Sequence, residues 1–321
     1  MSISAGEKIF ITGATGFVGS NLTRRYLERG AEVFINLRKT SDTWRIRDIL
    51  SEVNSVPVDI SDYEKLREAI KNVRPDCIFH TATYGGSAEQ KITEKIIETN
   101  ITGTVNLVRS CRDTGVRLLV NTGTSSEYGI KNSAVKETSL LEPVNEYGVT
   151  KAAATLFCQS YAVTEKLPIV TLRLFSPYGR YEPKSRLVPS VILTALKKIN
   201  PKISSRQFVR DFIFIDDVLD AYEAVTNLKN PSGKIFNIGS GQQHSVGDIV
   251  DIIIRHLGNE VTYELGAPQA WKNEPQVWQA DIQKAKAELS WEPEFSLDDG
   301  LAATIDWFKA NKGLYGYREI A

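Results

Sequence analysis

The stretch Lys8-Ile9-Phe10-Ile11-Thr12-Gly13-Ala14-Thr15-Gly16-Phe17-Val18-Gly19 joins an apolar strand run to a glycine turn and a helical pattern that continues to Arg29. Three glycines at this spacing permit a tight turn, close approach of a diphosphate to the main chain, and close helix–strand contact. The helix that follows offers free N–H groups and the positive end of its dipole. Gly13, Thr15, Gly16, Phe17, Val18 and Gly19 are therefore the expected cradle of a dinucleotide. The strand–turn–helix setting is what separates this motif from a tight turn with no ligand.

Outward from this turn, apolar runs alternate with helical patterns. Further strands are expected at 32–37, 77–80, 117–122 and 169–174, and helices at 61–72, 93–114 and 147–166. Such alternation means βαβ units and a parallel sheet. The expected fold class is α/β, a Rossmann-type doubly wound parallel sheet over 1–175. Past Phe175 prolines cluster (Pro177, Pro183, Pro189, Pro201) and the strand runs shorten. Residues 176–321 are expected to form a smaller, interleaved substrate lobe, with later segments able to return to the sheet. The crevice between the lobes is the default ligand site.

Composition narrows the function classes. The 321 residues are 42% apolar and 24% charged, with formal net charge zero. Nothing resembles a basic stripe, so nucleic acid is not an expected partner. Cys77, Cys111 and Cys158 are odd in number and widely spaced, and three histidines complete the soft ligands. Neither a disulfide framework nor a metal site is expected. With no leader-like start and no apolar run long enough to span a bilayer, the expectation is a cytoplasmic protein without a membrane partner.

Two places in the sequence carry chemistry. At the end of the second strand an NAD site usually places an acid on the ribose hydroxyls, and an NADP site a base. Here Leu37 is followed by Arg38 and Lys39. Two cations suit a 2′-phosphate, so NADP(H) is the favoured cofactor and NAD(H) the alternative. The second place is Tyr147-Gly148-Val149-Thr150-Lys151, which sets a phenol and an ammonium one helical turn apart on one face. A neighbouring Lys⁺ favours the phenolate and lowers a tyrosine pKa that is otherwise near 10. Upstream, Val120 to Gly129 reads as a strand entering a hydroxyl-rich loop, where Thr124 or Ser125 can bond a substrate hydroxyl beside Tyr147. Thr124, Tyr147 and Lys151 are the expected catalytic group.

Glycine turn, hydroxyl loop and Tyr-x-x-x-Lys, in this order, resemble the extended short-chain dehydrogenase/reductases, and more closely the nucleotide-sugar epimerases, dehydratases and ketoreductases. The resemblance covers nearly the whole chain. It implies that Asp59-Ile60 contacts the adenine, that Thr81, Ala82 and Thr83 line the cofactor after His80, and that Asn100 opens a helix at the site. Arg210-Asp211-Phe212-Ile213-Phe214-Ile215-Asp216-Asp217-Val218 is similar to a family segment whose Arg meets the sugar-nucleotide diphosphate. Phe236-Asn237-Ile238-Gly239-Ser240-Gly241 is a further family hallmark. The implied partners are a nucleotide-diphosphate sugar and a second copy of the chain in a homodimer.

Within the family, dehydratases carry an acid-bearing trio in the hydroxyl loop. The matching positions here are Thr124, Ser125 and Ser126, with Glu127 displaced by one. That disfavours a 4,6-dehydratase and leaves a 4-epimerase or a 4-ketoreductase. Arg38 and Lys39 favour the reductase, as does the likeness of the segment from His80 to Gly85 to deoxysugar ketoreductases related to abequose and paratose synthases. Tyr84 and Asn100 are expected along the sugar. Ser176 stands where many members have Asn, and Lys272 replaces a frequent Arg, so both are candidate substrate contacts. A non-catalytic dinucleotide sensor or scaffold is the reading outside enzymology, and the intact Thr124, Tyr147 and Lys151 argue against it.

Overall fold

A computed structural model describes residues 3–87, 89–112, 114–267 and 275–316. Its centre is a seven-stranded parallel sheet. The strands are β1 (Lys8–Thr12), β2 (Glu32–Asn36), β3 (Asn54–Val56), β4 (Cys77–His80), β5 (Leu118–Thr124), β6 (Ile169–Leu174) and β7 (Lys234–Ile238). They lie in the order β7-β6-β5-β4-β1-β2-β3. Strand order therefore reverses between β1 and β4, the topological switch point where open α/β sheets bind ligands beyond the carboxyl ends of their strands. The glycine turn leaves β1, and Thr81 leaves β4, at that point.

The helices are α1 (Phe17–Glu28), α2 (Tyr63–Val73), α3 (Thr93–Ile97), α4 (Gly103–Ser110), α5 (Glu146–Thr164), α6 (Leu187–Ala195), α7 (Ile215–Ala224), α8 (Val246–His256), α9 (Gln283–Leu289) and α10 (Leu297–Asn311). None of the described helices is long and apolar enough to cross a membrane. β4 and β6 are buried along their whole length, as fully covered parallel strands should be. Ile9, Phe10, Ile11, Ile78 and Phe79 are sealed from solvent, and each such side chain contributes roughly 1.5–3 kcal/mol.

One expectation changes. The helix expected over 93–114 is broken by a π-helical turn, Glu98–Thr102, between α3 and α4. Asn100 sits in that turn, and Gly103 just after it packs on Ile60, where a Cβ would lie 2.5 Å from Ile60 Cδ1. At the lobe boundary the sheet takes in a later segment. β7, from beyond residue 176, pairs in parallel with β6 from Lys234↔Val170 to Ile238↔Leu174. A cut at 175 therefore does not divide the sheet from the rest. The remaining strands are short pairs, among them Ser176–Tyr178 with Phe212–Phe214 and Val209–Arg210 with His244–Ser245.

Candidate active site

The glycine turn is built to hold main chain close to main chain. Gly13 has φ +74°, and a Cβ there would lie 2.5 Å from the Ala82 nitrogen. At Gly19 a Cβ would fall 2.2 Å from the Gly13 carbonyl oxygen and 2.7 Å from Thr81 Oγ1. Thr81 fixes the opposite wall by donating from Oγ1 to the Thr12 carbonyl at 2.7 Å. Gly16 caps α1 in extended conformation, without a side-chain hydrogen bond to the helix. Open N–H groups at α1, beside a wall that admits no side chain, fit a dinucleotide diphosphate. Phe17 and Val18 carry those first amides and rest against the core.

Asn36, at the end of β2, escaped the sequence reading. Its Oδ1 accepts from the Gly13 N–H at 3.2 Å and its Nδ2 donates to the Val58 carbonyl at 3.3 Å. Of the two cations that follow, Lys39 is exposed and Arg38 lies 3.6 Å from the Asp59 carboxylate. The other Asp59 oxygen accepts from Ser61 N and Oγ. Ile60 does not share the surface with Asp59. It is buried in the cluster with Leu66 and Leu107, so of this pair only Asp59 reaches the surface where an adenine could lie.

β5 delivers Thr124 at its carboxyl end, and α5 delivers Tyr147. What brings them together is Gly148: a Cβ there would lie 2.5 Å from the Ser126 carbonyl oxygen, so α5 starts hard against the hydroxyl loop. Asn145 caps this start, accepting from Gly148 N at 2.7 Å. The Tyr147 hydroxyl then stands where the hydroxyls of Thr124 and Thr83 act on it. Gly86 stands over the same ring, where a Cβ would be 3.7 Å from it. Lys151, one turn on, is buried.

Burial pushes the Tyr147 phenol up, against the pull of the Thr124 and Thr83 hydroxyls and of the Arg186 charge. Burial also pushes Lys151 down, with Glu127 and Cys158 acting in the other direction. The lowering expected from Lys151 is not found: burial is the largest influence on the phenol, and the cation acting on it is Arg186.

Glu127 is turned into the protein. It is fully buried, with Oε2 2.7 Å from Arg173 Nε and Oε1 accepting from the Thr124 N–H at 2.9 Å. Burial pushes its carboxyl up, while Arg173 and the Thr124 amide oppose the shift. The displaced acid is spent on the fold.

The substrate candidates divide. Ser125 accepts from Trp278 Nε1 at 3.1 Å, and the Arg210 guanidinium lies 5.1 Å from the Trp278 ring, so Ser125 and Arg210 belong to one wall. Trp278 was not among the expected residues; it lies 153 positions from Ser125. Ser176 donates its N–H to the Asp211 carbonyl. Asp211, buried and raised to about 6 by desolvation, accepts from Ser240 N, Ser240 Oγ, Gly241 N and Ala280 N. That network positions the Arg210 strand. Asn100 is not a pocket residue. It is sealed, bonding Tyr84 N and O, Thr83 Oγ1 and Thr150 Oγ1, and so holds Tyr84 and Thr83 at the site. Lys272 lies outside the described residues. A cavity of about 860 Å³ between α8, α10 and Phe212–Phe214 includes none of Thr124, Tyr147 or Lys151 in its lining.

Residues 9–239 match the model of the NAD dependent epimerase/dehydratase family. The chain belongs to that family. A UDP-glucuronate 4-epimerase of Thermodesulfobacterium geofontis is 31% identical over 94% of this chain and 96% of its own. A dTDP-glucose 4,6-dehydratase of Xanthomonas campestris is 27% identical over 94% and 93%. The solved UDP-glucuronic acid 4-epimerase of Bacillus cereus, in complex with UDP-glucuronic acid and NAD, superposes with a TM-score of 0.84 at 29% identity, covering 95% of this chain and 99% of that one. The protein is an NAD-dependent nucleotide-sugar enzyme of the epimerase/dehydratase kind. These likenesses favour an epimerase over the expected ketoreductase, and NAD over the NADP(H) expected from Arg38 and Lys39.

Proposed function

We propose that the protein is a nucleotide-sugar 4-epimerase that retains NAD. The observation that carries this reading is Glu127. A 4,6-dehydratase needs an acid and a base for elimination, and the acid of this loop is held by Arg173 and the Thr124 amide. What remains facing Tyr147 is hydroxyl chemistry, enough for proton transfer at one oxygen. Support over the reductase comes from the epimerases among the relatives.

In this reading Gly13–Gly19 with Asn36 and Asp59 hold the dinucleotide, which supplies a reversible hydride store for C4 of the sugar. Tyr147 takes the proton of the C4 hydroxyl as oxidation proceeds and returns it when the opposite face is reduced. Thr124 and Thr83 fix the direction of that hydroxyl. Lys151 supports the phenolate, whose formation the buried site otherwise opposes. Arg210 and Ser176 are assigned to the sugar-nucleotide diphosphate and Ser125 and Tyr84 to the sugar. The exposed apolar side chains Ile97, Val149, Leu156, Phe157 and Val163 on α3 and α5 are assigned to a homodimer face.

The test is to denature protein purified without added cofactor and identify the nucleotide released, then to incubate the native protein with UDP-glucuronate and UDP-glucose. Near-stoichiometric NAD⁺ and interconversion of C4 epimers without added cofactor are expected. An empty site, with NADPH consumed on a nucleotide-linked 4-keto-6-deoxysugar, would replace the reading with the reductase. Formation of a 4-keto-6-deoxysugar would replace it with the dehydratase.

A further inference from the structure

The loop between β2 and β3 carries a cation whose surroundings are unlike those of its neighbours. Arg24 is met by Asp48 at 2.6 Å, Arg25 by Asp220 at 2.7 Å, and Arg180 by Asp216 at 2.6 Å. Arg45 is half-buried, and among the described residues no carboxylate lies within salt-bridge distance of it; Asp42 acts only from further away. Its hydrogen bonds go to main-chain carbonyls: Nε donates to Tyr181 O at 2.7 Å and Nη1 to Thr15 O at 3.2 Å. The Arg45 guanidinium also lies 4.3 Å from the Trp44 ring, and Arg24 Nη2 holds the Arg45 carbonyl. Burial lowers its pKa, as expected for a charge with no counter-ion.

Thr15 is the middle of the glycine turn, two residues before the uncapped amides of α1. A desolvated guanidinium tied to the carbonyl of a phosphate-binding turn, with no acid of its own, is poised for an anion. We propose that Arg45 is a cofactor-phosphate ligand of this chain. The chemistry recognised is a phosphoryl oxygen. A dinucleotide offers it from the bridging diphosphate or from a 2′-phosphate. The proposal rests on the family's use of a dinucleotide and not on the epimerase reading.

The test is calorimetric titration of nucleotide-stripped protein with adenosine, ADP and adenosine 2′,5′-bisphosphate. Arg45→Met should leave adenosine binding within about twofold and weaken the phosphorylated ligands roughly tenfold or more, the scale of a charged hydrogen bond. Loss for both ADP and the bisphosphate places the charge at the diphosphate; loss for the bisphosphate alone places it at a 2′-phosphate. Equal loss for adenosine, or none for either phosphorylated ligand, overturns the proposal. Should Arg45→Met not fold, Arg45→Lys keeps the charge without the fork to both carbonyls. Retention of ADP affinity within about threefold, set against the roughly tenfold scale above, supports the proposal, and a loss as large as for an uncharged site refutes it.

Discussion

Removing Arg173 tests the role of Glu127 most sharply. Arg173→Leu leaves a carboxylate fully buried with only the Thr124 amide as partner. Breaking a buried pair from one side costs about 3–5 kcal/mol. Glu127→Leu should cost a similar amount, since it strands the Arg173 guanidinium beside Tyr128 Oη and the Glu137 carbonyl. The double variant removes both charges. Replacing a buried ion pair with apolar groups is often neutral or stabilising by about 1–4 kcal/mol. Against this stands the orphaned Thr124 N–H, which costs about 1–3 kcal/mol. The double variant should therefore lie within about 3 kcal/mol of the parent protein, and the coupling energy should reach at least about 3 kcal/mol. Urea unfolding of the four proteins measures it, and incubation with UDP-sugars measures turnover. Additive costs would refute the pairing. A double variant that folds as stably as the parent but has lost all turnover would refute the structural role of Glu127 and return it to the chemistry.

Three further outcomes are expected. Tyr147→Phe should lower epimerisation by roughly 10²–10⁴ while nucleotide-sugar affinity, read by calorimetry, stays within a few-fold; unchanged turnover would remove Tyr147 from proton transfer. Gly148→Ala places a Cβ 2.5 Å from a main-chain oxygen of the hydroxyl loop, so kcat should fall by about 10² as Tyr147 shifts from Thr124, and a parent-like kcat would contradict that geometry. His80 is sealed between Thr12 and Thr104, and burial pushes it down to about 3 from 6.5. Its folded pKa lies below the unfolded one, so its contribution to stability is intact above pH 6.5 and is lost as pH falls toward 3. At pH 5 the loss should be about 2 kcal/mol, and urea midpoints that fall equally in His80→Gln would show that another group is responsible.

Local features were legible from the sequence. The glycine turn needs its glycines for reasons that the Gly13 and Gly19 contacts make explicit, and the Tyr147–Lys151 spacing needs only a helix. Contacts between distant positions were hidden. Trp278 reaches Ser125 and Asp211 gathers Ser240, Gly241 and Ala280, none of which a local pattern reveals. Asn100 looked like a pocket residue because its type and place fit; the π-helical turn points it into the fold. Glu127 was noticed as displaced, but its burial against Arg173 depends on which face of the loop each side chain takes. Arg38 and Lys39 suggested NADP on charge alone, and the pairing of Arg38 with Asp59 became visible only when β2 and the residues after β3 stood side by side. Arg45 drew no notice in the sequence, since its distinction is the acid it lacks.

The return of β7 to the sheet has a consequence for how the molecule is made. A ribosome releases β1 to β6 well before Lys234–Ile238, and domains tend to form in the order in which they emerge. Until that last strand arrives, β6, buried along its whole length in the finished protein, is an open apolar edge able to pair with another chain. The nascent sheet must wait, covered by a chaperone or by its own unfinished lobe, for some sixty residues of later sequence. A gene cut after Leu174 would encode every residue of the candidate catalytic group and still yield a protein prone to aggregate.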